Sequence, residues 1–442
     1  MARKVTIAIH YVSAPFAGLA RVVERMSEVD PVWHRVHSLE LLICRNPSTT
    51  GSDDTSTAAH EEDIHGAAEA LVSLLPGVRQ LKIGNYSYTP AAGALYGRIA
   101  GLYAGQLQRI DSRHPISVPH EQLFGRLKDI RLVCGGARTD WLPRVDPGSI
   151  ERLSLNRCPF NHSWAQFSAD NSPQVIHFTK LQSLCLVYTK PLASNGAVVR
   201  HPDGHPWKLH FPALKRFIMW CAGDACPLLE YAVFPKHLDS IRLEAQASVF
   251  HSIAKVALPA TRRLELPVGL NTGRGPGDLD AVDHILNAAH GCHEKTLELM
   301  DLSIAMLPDT ITCTDLTKLV VSAATSPKTA IALVDKFPRL RHLALYHVAL
   351  DGIWPEALVE DDAACDAVAP LDSVLEKLTI RFARGQFSPD VAVPLAKYLL
   401  LSLPRLTHLI ATQVHKQPIE DFVRSHPRLS SVVLDLHDDG SK

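Results

Sequence analysis

The chain has 442 residues, of which 46% are apolar and 21% charged, a composition typical of a soluble folded protein. Its 45 Lys and Arg residues nearly cancel its 46 Asp and Glu residues, so no global field favours nucleic acid or a membrane surface. No apolar run reaches the roughly 18 residues of a membrane helix. MARKVTIAIHYV has no adequate apolar core or small-residue cleavage site, so we expect no secretory signal. We therefore expect a cytoplasmic or nuclear protein without a nucleic-acid or membrane partner.

The first predicted element is a strand over residues 4–12, KVTIAIHYV, in which Val5, Ile7 and Ile9 alternate. A solenoid needs terminal units with a polar outer face, and no polar helix precedes this strand. We therefore expect either that the chain is a shortened form of a longer protein or that a partner covers the first strand. The alternative is that a helix around residues 19–26 folds back as a cap.

Two segments interrupt the strand pattern further along the chain. Residues 46–63, NPSTTGSDDTSTAAHEED, are small, polar and acidic, which predicts a disordered acidic loop insertion. Residues 90–109 place Leu95, Ile99, Leu102 and Leu107 at helical intervals, which predicts a helical insertion.

A join between a helix and a strand is clearest in residues 333–350, LVDKFPRLRHLALYHVAL. A helical pattern ends at Phe337, Pro338 marks a turn, and Leu343 and Leu345 then alternate as in a strand. The same join recurs in LLPGVRQLKI, FPALKRFIM, LPRLTHLIA and HPRLSSVVL. One structural unit is therefore repeated along the chain.

The repeats can be aligned on one central apolar residue each. These residues are Val5, Leu39, Leu81, Ile130, Leu153, Leu184, Phe217, Ile241, Leu264, Leu297, Leu319, Leu343, Leu378, Leu409 and Val432. Most intervals fall at about 22–24 or about 31–35 residues, within the range of repeat architectures. Stacked repeats share a continuous core, so we predict a single solenoid domain over residues 1–442.

Two copies, VHSLELLIC and IERLSLNRC, extend to the frame of a leucine-rich repeat and end on Cys44 and Cys158. These irregular units resemble the repeat region of fungal F-box/leucine-rich-repeat proteins. The resemblance implies an α/β fold, an irregular leucine-rich-repeat solenoid with a curved parallel sheet on its concave face and helices and loops outside. It also implies a substrate-recognition role beside a cullin-RING ubiquitin ligase, although residues 1–38 contain no evident F-box.

The residues between the inward-facing leucines would line the concave face of such a sheet. Many of them are basic or aromatic, and the positions between the core residues become apolar towards the C-terminus. The predicted partner-binding residues are Lys82, Arg131, Arg152, Arg216, Trp220, Arg242, Arg263, Lys318, His342, Tyr346, Lys377 and His408. They predict an acidic protein segment with an apolar anchor as the partner. The alternative is an ordinary solvated sheet face.

Motifs for catalysis or metal binding are weak. His60 and His65 in HEEDIH are five residues apart, whereas metal chelation from one helical face needs four. GRGPG, residues 273–277, lacks the Gly-Lys-Ser/Thr end of a phosphate-binding loop. A looser set of metal-ligand types comprises His201, His205, His210, Cys221 and Cys226.

We therefore predict a non-catalytic interaction module without cofactor or metal. Its partners would be a protein target and, if an F-box lies upstream, cullin-RING ligase subunits. The alternatives are a stand-alone scaffold with no role in ubiquitin transfer and a divergent enzyme.

Overall fold

A computed structural model describes residues 3–11, 15–30, 33–45, 59–85, 90–113, 116, 118, 124–133, 145–157, 175–187, 208–221, 229, 232–269, 279–300, 311–322, 327–348, 371–382, 389–412 and 416–437. The chain divides into two compact units. The first comprises Met1–Ala222 and Cys226–His237, and the second comprises Gly223–Ala225 and Leu238–Lys442. A single solenoid over residues 1–442 stays a prediction.

The first unit contains a main parallel sheet and a small one. Its strands are β1 (Arg3–Tyr11), β2 (Val36–Arg45), β3 (Gln80–Asn85), β4 (Arg109–Ser112), β5 (Asp129–Val133), β6 (Arg152–Asn156), β7 (Val175–His177), β8 (Ser183–Val187), β9 (Lys208–His210), β10 (Arg216–Cys221) and β11 (Ala232–Val233). The main sheet has the order β1-β2-β3-β4-β5-β6-β8-β10, while β7, β9 and β11 pair separately. Strands of the main sheet therefore follow one another in chain order.

The second unit also contains a sheet whose strands follow chain order, from β12 to β19. These strands are β12 (His237–Gln246), β13 (Ala260–Gly269), β14 (Glu294–Met300), β15 (Lys318–Val321), β16 (His342–Val348), β17 (Lys377–Phe382), β18 (His408–Thr412) and β19 (Val433–His437). The register is parallel from β13 through β19.

Helices connect many of the successive strands. In the first unit they are α1 (Pro15–Val29), α2 (Ala59–Leu74) and α3 (Pro90–Leu102). In the second unit they are α4 (Ala247–Ile253), α5 (Asp280–Ala288), α6 (Pro327–Lys336), α7 (Pro389–Ser402) and α8 (Lys416–Ser425). Neighbouring helices pack on one another, as α1 does with α2 and α2 with α3. Each unit is thus a mixed α/β structure, which confirms the predicted fold class at that level.

Apolar residues in register form the core of the first unit. One row runs across β2 to β6 through Leu39, Leu81, Ile110, Ile130 and Leu153. All five side chains are at most 1% exposed. Because alternate residues of a strand point to opposite faces, each buried row leaves its flanking residues on the exposed sheet face.

The second unit repeats this arrangement. Leu297, Leu319, Leu343, Leu378 and Leu409 form one row in register across β14 to β18. These leucines are buried, and the strand register confirms their predicted alignment.

A proline turn connects helix and strand in several repeats. In the turn before β16, the Leu340 amide donates a hydrogen bond to the Phe337 carbonyl over 2.9 Å, with Pro338 in the second turn position. Both flanking side chains are buried. The same bond closes the turns Phe211 to Leu214 and Leu403 to Leu406, at 3.3 and 3.1 Å. Proline suits this position because its fixed φ matches that of a tight turn.

The small sheet of the first unit was not predicted. Strands β7, β9 and β11 are two or three residues long and pair in the order β11-β9-β7. Next to these strands, the Phe211 ring lies 5.2 Å from that of Phe178 and 6.0 Å from that of Phe234. These aromatic contacts hold strands that are too short to show a sequence period.

The predicted alignment was wrong at three places. A strand centred on Ile110 was missed, because Ser112 takes the second core position where an apolar residue was expected. Leu297 pairs with Leu266 and not with Leu264, whose partner is the buried Lys295. These substitutions in the core interrupt the apolar pattern from which the alignment was read.

The third difference concerns the last strand. Leu434 pairs with Leu409, whereas Val432 was predicted to occupy that position. The Val432 amide still belongs to the preceding turn, where it donates to the Leu429 carbonyl over 2.9 Å. This turn delays the start of β19 and moves Val433 into the row of His408.

The two predicted insertions differ in detail from the structure. Helix α2 begins at Ala59 and includes residues 59–63 of the predicted acidic loop, while residues 46–58 lie outside the described residues. Within residues 90–109, helix α3 ends at Leu102 and β4 begins at Arg109. Leu107 is buried between them. The segment therefore supplies the helix and the first strand residue of a repeat that the alignment had missed.

Candidate functional site

The exposed sheet face of the first unit carries a carboxylate between two lysines. Glu40 on β2 is only 8% exposed, and the Nζ atoms of Lys4 and Lys82 each lie 2.5 Å from one of its oxygens. The Thr6 hydroxyl donates to the same carboxylate over 3.3 Å. Hydrogen bonds from the two lysines outweigh burial and lower the pKa of Glu40 from 4.5 to about 2. The predicted binding residue Lys82 is thus paired within its own sheet.

A second buried carboxylate on this face collects three arginines. Asp129 on β5 is 3% exposed, and its oxygens lie 2.9 Å from Arg152, 3.4 Å from Arg109 and 3.8 Å from Arg131. These contacts are ion pairs without the alignment of hydrogen bonds. A buried carboxylate requires compensation by charge, which the arginines supply. Arg131 and Arg152, both predicted to bind a partner, are therefore directed at Asp129.

Two predicted residues of the second unit are also paired. Arg242 on β12 contacts Glu265 at 3.1 Å and Glu244 at 3.3 Å. Arg263 on β13 lies 2.5 Å from Glu294 on β14. Burial opposes the charge of Arg242, but its hydrogen bonds and the two carboxylates outweigh burial and raise its pKa. Neither arginine offers an uncompensated charge to a partner.

The remaining basic residues among those predicted for the second unit form one row. Lys318, His342, Lys377 and His408 are register partners on β15, β16, β17 and β18. Among the described residues, neither lysine has a carboxylate within 4 Å. Neighbouring strands lie about 4.8 Å apart, so the row spans about 14 Å. We call these four residues the cation row.

A groove of about 930 Å³ lies beside the cation row in the second unit. Lys318 and His342 line it together with Arg339, Arg341, Arg405 and Glu376. Arg341 and Glu376 form a long contact of 3.9 Å, whereas Arg339 and Arg405 have no carboxylate within 4 Å in the part of the chain that the structure describes. Glu265, Glu294 and Asp315 also line the groove, so its five Lys and Arg residues face four Asp and Glu residues. With Lys377 of the cation row, the groove and the row together carry a small excess of positive charge.

Less polar side chains flank the cation row on the same face. Two residues further along each strand are the buried Val320 and the half-buried Ala344, Thr379 and Ile410, which are again register partners. On β16 the Tyr346 ring lies under the Arg381 guanidinium, 4.8 Å from its centroid. An extended acidic segment across the strands could therefore contact cations on one side and apolar groups on the other.

The last two predicted residues lie on β10 of the first unit. Arg216 is exposed and pairs in register with Ser183, and Trp220 is half-buried opposite Val187. The twelve predicted residues therefore divide between the two units. Of the cationic ones, the second unit brings Lys318, His342, Lys377 and His408 together.

The candidate metal ligands are placed only in part. His210 lies beside His177, with 3.1 Å between their Nδ1 atoms, while His201, His205 and Cys226 lie outside the described residues. Cys221 lies half-buried on β10 and is not part of a disulfide bond. Within the described ranges, His, Cys, Asp and Glu form no group of three or more that could hold a metal ion.

Of the other two motifs, HEEDIH and GRGPG, the structure describes only the first. His65 on α2 contacts Glu69 and Arg98, the latter over 2.8 Å. Residues 273–277 lie outside the described part of the chain. Among the described helices, none combines the length and apolar character needed to cross a membrane.

Sequence reasoning missed Arg339 and Arg405, although a signal existed. Both are the third residue of a proline turn, in FPRL and LPRL, and Arg428 holds the same place in HPRL. The interpretation used only the leucine of this motif. The sequence also showed no sign that Glu40 pairs with lysines and Asp129 with arginines. Each carboxylate meets its cations only when neighbouring strands align.

Comparison with known proteins adds no assignment, because no family model and no curated protein sequence matches the chain.

Proposed function

We propose that this chain is a non-catalytic protein-binding module whose second unit holds an acidic segment of a partner protein. The observation that carries the proposal is the cation row, in which Lys318 and Lys377 have no carboxylate partner among the residues that the structure describes, unlike Lys82 and Arg263. Uncompensated charges on an exposed face attract and orient a partner of opposite charge. The apolar residues beside the row would contact the anchor of that segment.

The chain order of the parallel strands and the repeated proline turns support a leucine-rich-repeat solenoid, with the sheet on its concave side. On this view the chain corresponds to the substrate-recognition part of an F-box/leucine-rich-repeat adaptor of a cullin-RING ubiquitin ligase. That role rests on resemblance in the repeats. The alternative is a scaffold with no ubiquitin role.

Copurification separates the adaptor from the scaffold. An adaptor predicts that cullin-ligase subunits accompany the full-length gene product when it is isolated from its own cells. Their absence, with other partners retained, would favour the scaffold.

The binding proposal itself can be tested with a fluorescein-labelled hexaglutamate peptide. Extended, six residues span about 20 Å, which is enough to cross the cation row. We expect fluorescence anisotropy to show binding that weakens as salt is raised, because exposed charges are screened. A hexaglutamine peptide should not bind.

Matched variants locate the site. Lys318→Gln/Lys377→Gln removes two charges from the cation row and should weaken peptide binding several-fold. Lys255→Gln/Lys336→Gln also removes two positive charges, one from the turn after α4 and one from α6. This control should bind the peptide like the unmodified chain. Equal binding by both variants would remove the cation row from consideration.

A further inference from the structure

The cation row alternates two lysines with two histidines. His342 lies between Lys318 and Lys377, and His408 follows Lys377 on the next strand. A histidine is ordinarily half-protonated near pH 6.5, whereas a lysine stays charged to about pH 10. The charge of the row therefore changes from two to four as both histidines become protonated.

The surroundings of His342 favour its neutral form. Burial, and then the charges of Lys318 and Lys377, lower the pKa of His342. Glu376 and Glu294 act in the opposite direction but are outweighed. Arg341, which directly precedes β16, and Arg339 and Arg405 add positive charge in the groove beside His342, whereas Glu265 and Asp315 add negative charge there.

The ring of His408 is oriented by its neighbour. The Thr407 hydroxyl donates to the Glu376 carbonyl over 2.9 Å, so its oxygen is left to accept from His408 Nδ1, also at 2.9 Å. In the neutral ring Nε2 is then the nitrogen that carries no hydrogen. Of its register partners, Lys377 on β17 is charged and Val433 on β19 is not.

We propose that the cation row is a proton-linked binding site, in which an acidic peptide segment binds most tightly when His342 and His408 are protonated and draws protons onto them as it binds. The inference rests on the proposed function and adds its regulation. Carboxylates brought beside an imidazole favour the charged form, which offsets the repulsion from the lysines. Reciprocally, a fall in pH increases the affinity for the acidic segment.

Binding of the hexaglutamate peptide at pH 6.0 and pH 8.0 tests this inference, because glutamate side chains stay ionised at both values. We expect binding to the whole chain to be about three- to tenfold tighter at pH 6.0, since uptake of one proton gives up to tenfold per pH unit. His342→Gln/His408→Gln should lose the gain, so that its own affinities at pH 6.0 and pH 8.0 become equal. His284→Gln, at an exposed position of α5, should keep the gain.

Proton NMR of the histidine rings provides a measurement on the unmodified chain. Addition of the peptide should raise the pH at which the His342 and His408 signals titrate, with the variants used only for assignment. Peptide binding with equal affinity at both pH values and unmoved titration curves would overturn this inference and leave the proposed function standing. Failure of the peptide to bind at either pH would overturn both.

Discussion

A charged residue on the exposed sheet face depends on the residues beside it on neighbouring strands. Lys82 and Lys318 occupy comparable exposed positions, yet Lys82 meets Glu40 and Lys318 meets His342. The first contact forms an internal ion pair, and the second leaves a charge open to a ligand. The sequence therefore identifies basic residues that could bind a partner. Strand register determines which of them remain without an internal ion pair.

The pairing of Glu40 predicts a dependence of stability on pH. Its pKa is about 2 in the folded chain and 4.5 ordinarily, so the unfolded state binds the proton first as pH falls. The stabilisation is present above about pH 4.5 and declines towards pH 2. Glu40→Gln should therefore be less stable than the unmodified chain at pH 7, by a margin that shrinks below pH 4.5.

Urea unfolding at several pH values measures this margin. Glu69→Gln is the control, because Glu69 is exposed and pairs only with His65 among the described residues. A margin for Glu40→Gln that stays constant from pH 7 to pH 3.5 would contradict the assigned pKa.

Leu343 tests the register of the core. It is 2% exposed and lies between Leu319 and Leu378 in the buried row. Leu343→Ala should reduce the free energy of unfolding by about 2–5 kcal/mol, because it removes packed methyl groups and leaves a cavity. Arg339→Ala, at an exposed turn position, should stay within about 0.5 kcal/mol. Similar values for the two variants in denaturant unfolding would refute the register.

At the scale of elements, Lys295 shows how a charge can occupy a core position. It is 2% exposed on β14, and its Nζ donates to the Leu286 carbonyl over 2.7 Å and to Asp315 over 2.8 Å. Leu286 lies in the last turn of α5, where carbonyl groups lack partners within the helix. Lys295 therefore links the end of α5 to β14 and to the turn before β15.

This arrangement predicts an asymmetry between two variants. Asp315→Asn leaves a buried ammonium without its carboxylate and should cost about 1.5–3 kcal/mol, as for hydrogen bonds to charged groups. Lys295→Met removes the buried charge itself and should cost less, since Asp315 can be solvated. Denaturant unfolding measures both, and a larger loss for Lys295→Met would contradict this account.

Regular elements could be predicted from the sequence where the local pattern was complete. In the strands around Leu319, Leu343, Leu378 and Leu409 a basic residue precedes the leucine and a second apolar core residue follows two positions later, and their alignment is confirmed. Ser112 and Lys295 broke that pattern at buried positions and could not be recognised locally.

The candidate site was predictable in part for the same reason. The sequence predicted that the basic side chains lie on the exposed face, because side chains of a strand alternate between its two faces. Their pairing could not be predicted, because Glu40 and Lys82 are far apart in sequence and meet only when β2 and β3 align. Apolar residues were also predicted between the core residues near the C-terminus. The turn before β19 shifts Val433 out of such a position and into register with His408.

At the scale of the whole molecule, each main sheet is a series of nearest-neighbour contacts. An inner strand such as β16 pairs on both sides, with β15 and β17, whereas β19 is the last in the order and, among the described strands, pairs only with β18. Leu434, the residue of β19 in register with the buried row, is only half-buried, whereas Leu343 on β16 is 2% exposed. Stability within the second unit should therefore vary along the series.

Hydrogen–deuterium exchange followed by mass spectrometry can measure this gradient. We expect peptides that cover β19 to exchange faster than those that cover β16, and peptides of β1 to exchange faster than those of β3 in the first unit. The reason is that a strand with one neighbour opens without breaking a second set of hydrogen bonds. Uniform protection across β16 and β19 would contradict the prediction.

Strand order that follows chain order has a consequence for how such a chain can change in evolution. A duplicated helix, proline turn and strand could be inserted between β16 and β17 without rethreading any other segment, because each added strand needs only the edges of its two neighbours. The cation row would lengthen by one residue with each such duplication. The length of acidic segment that the protein accommodates could thus be selected by changing the number of repeats, while every existing strand keeps its residues.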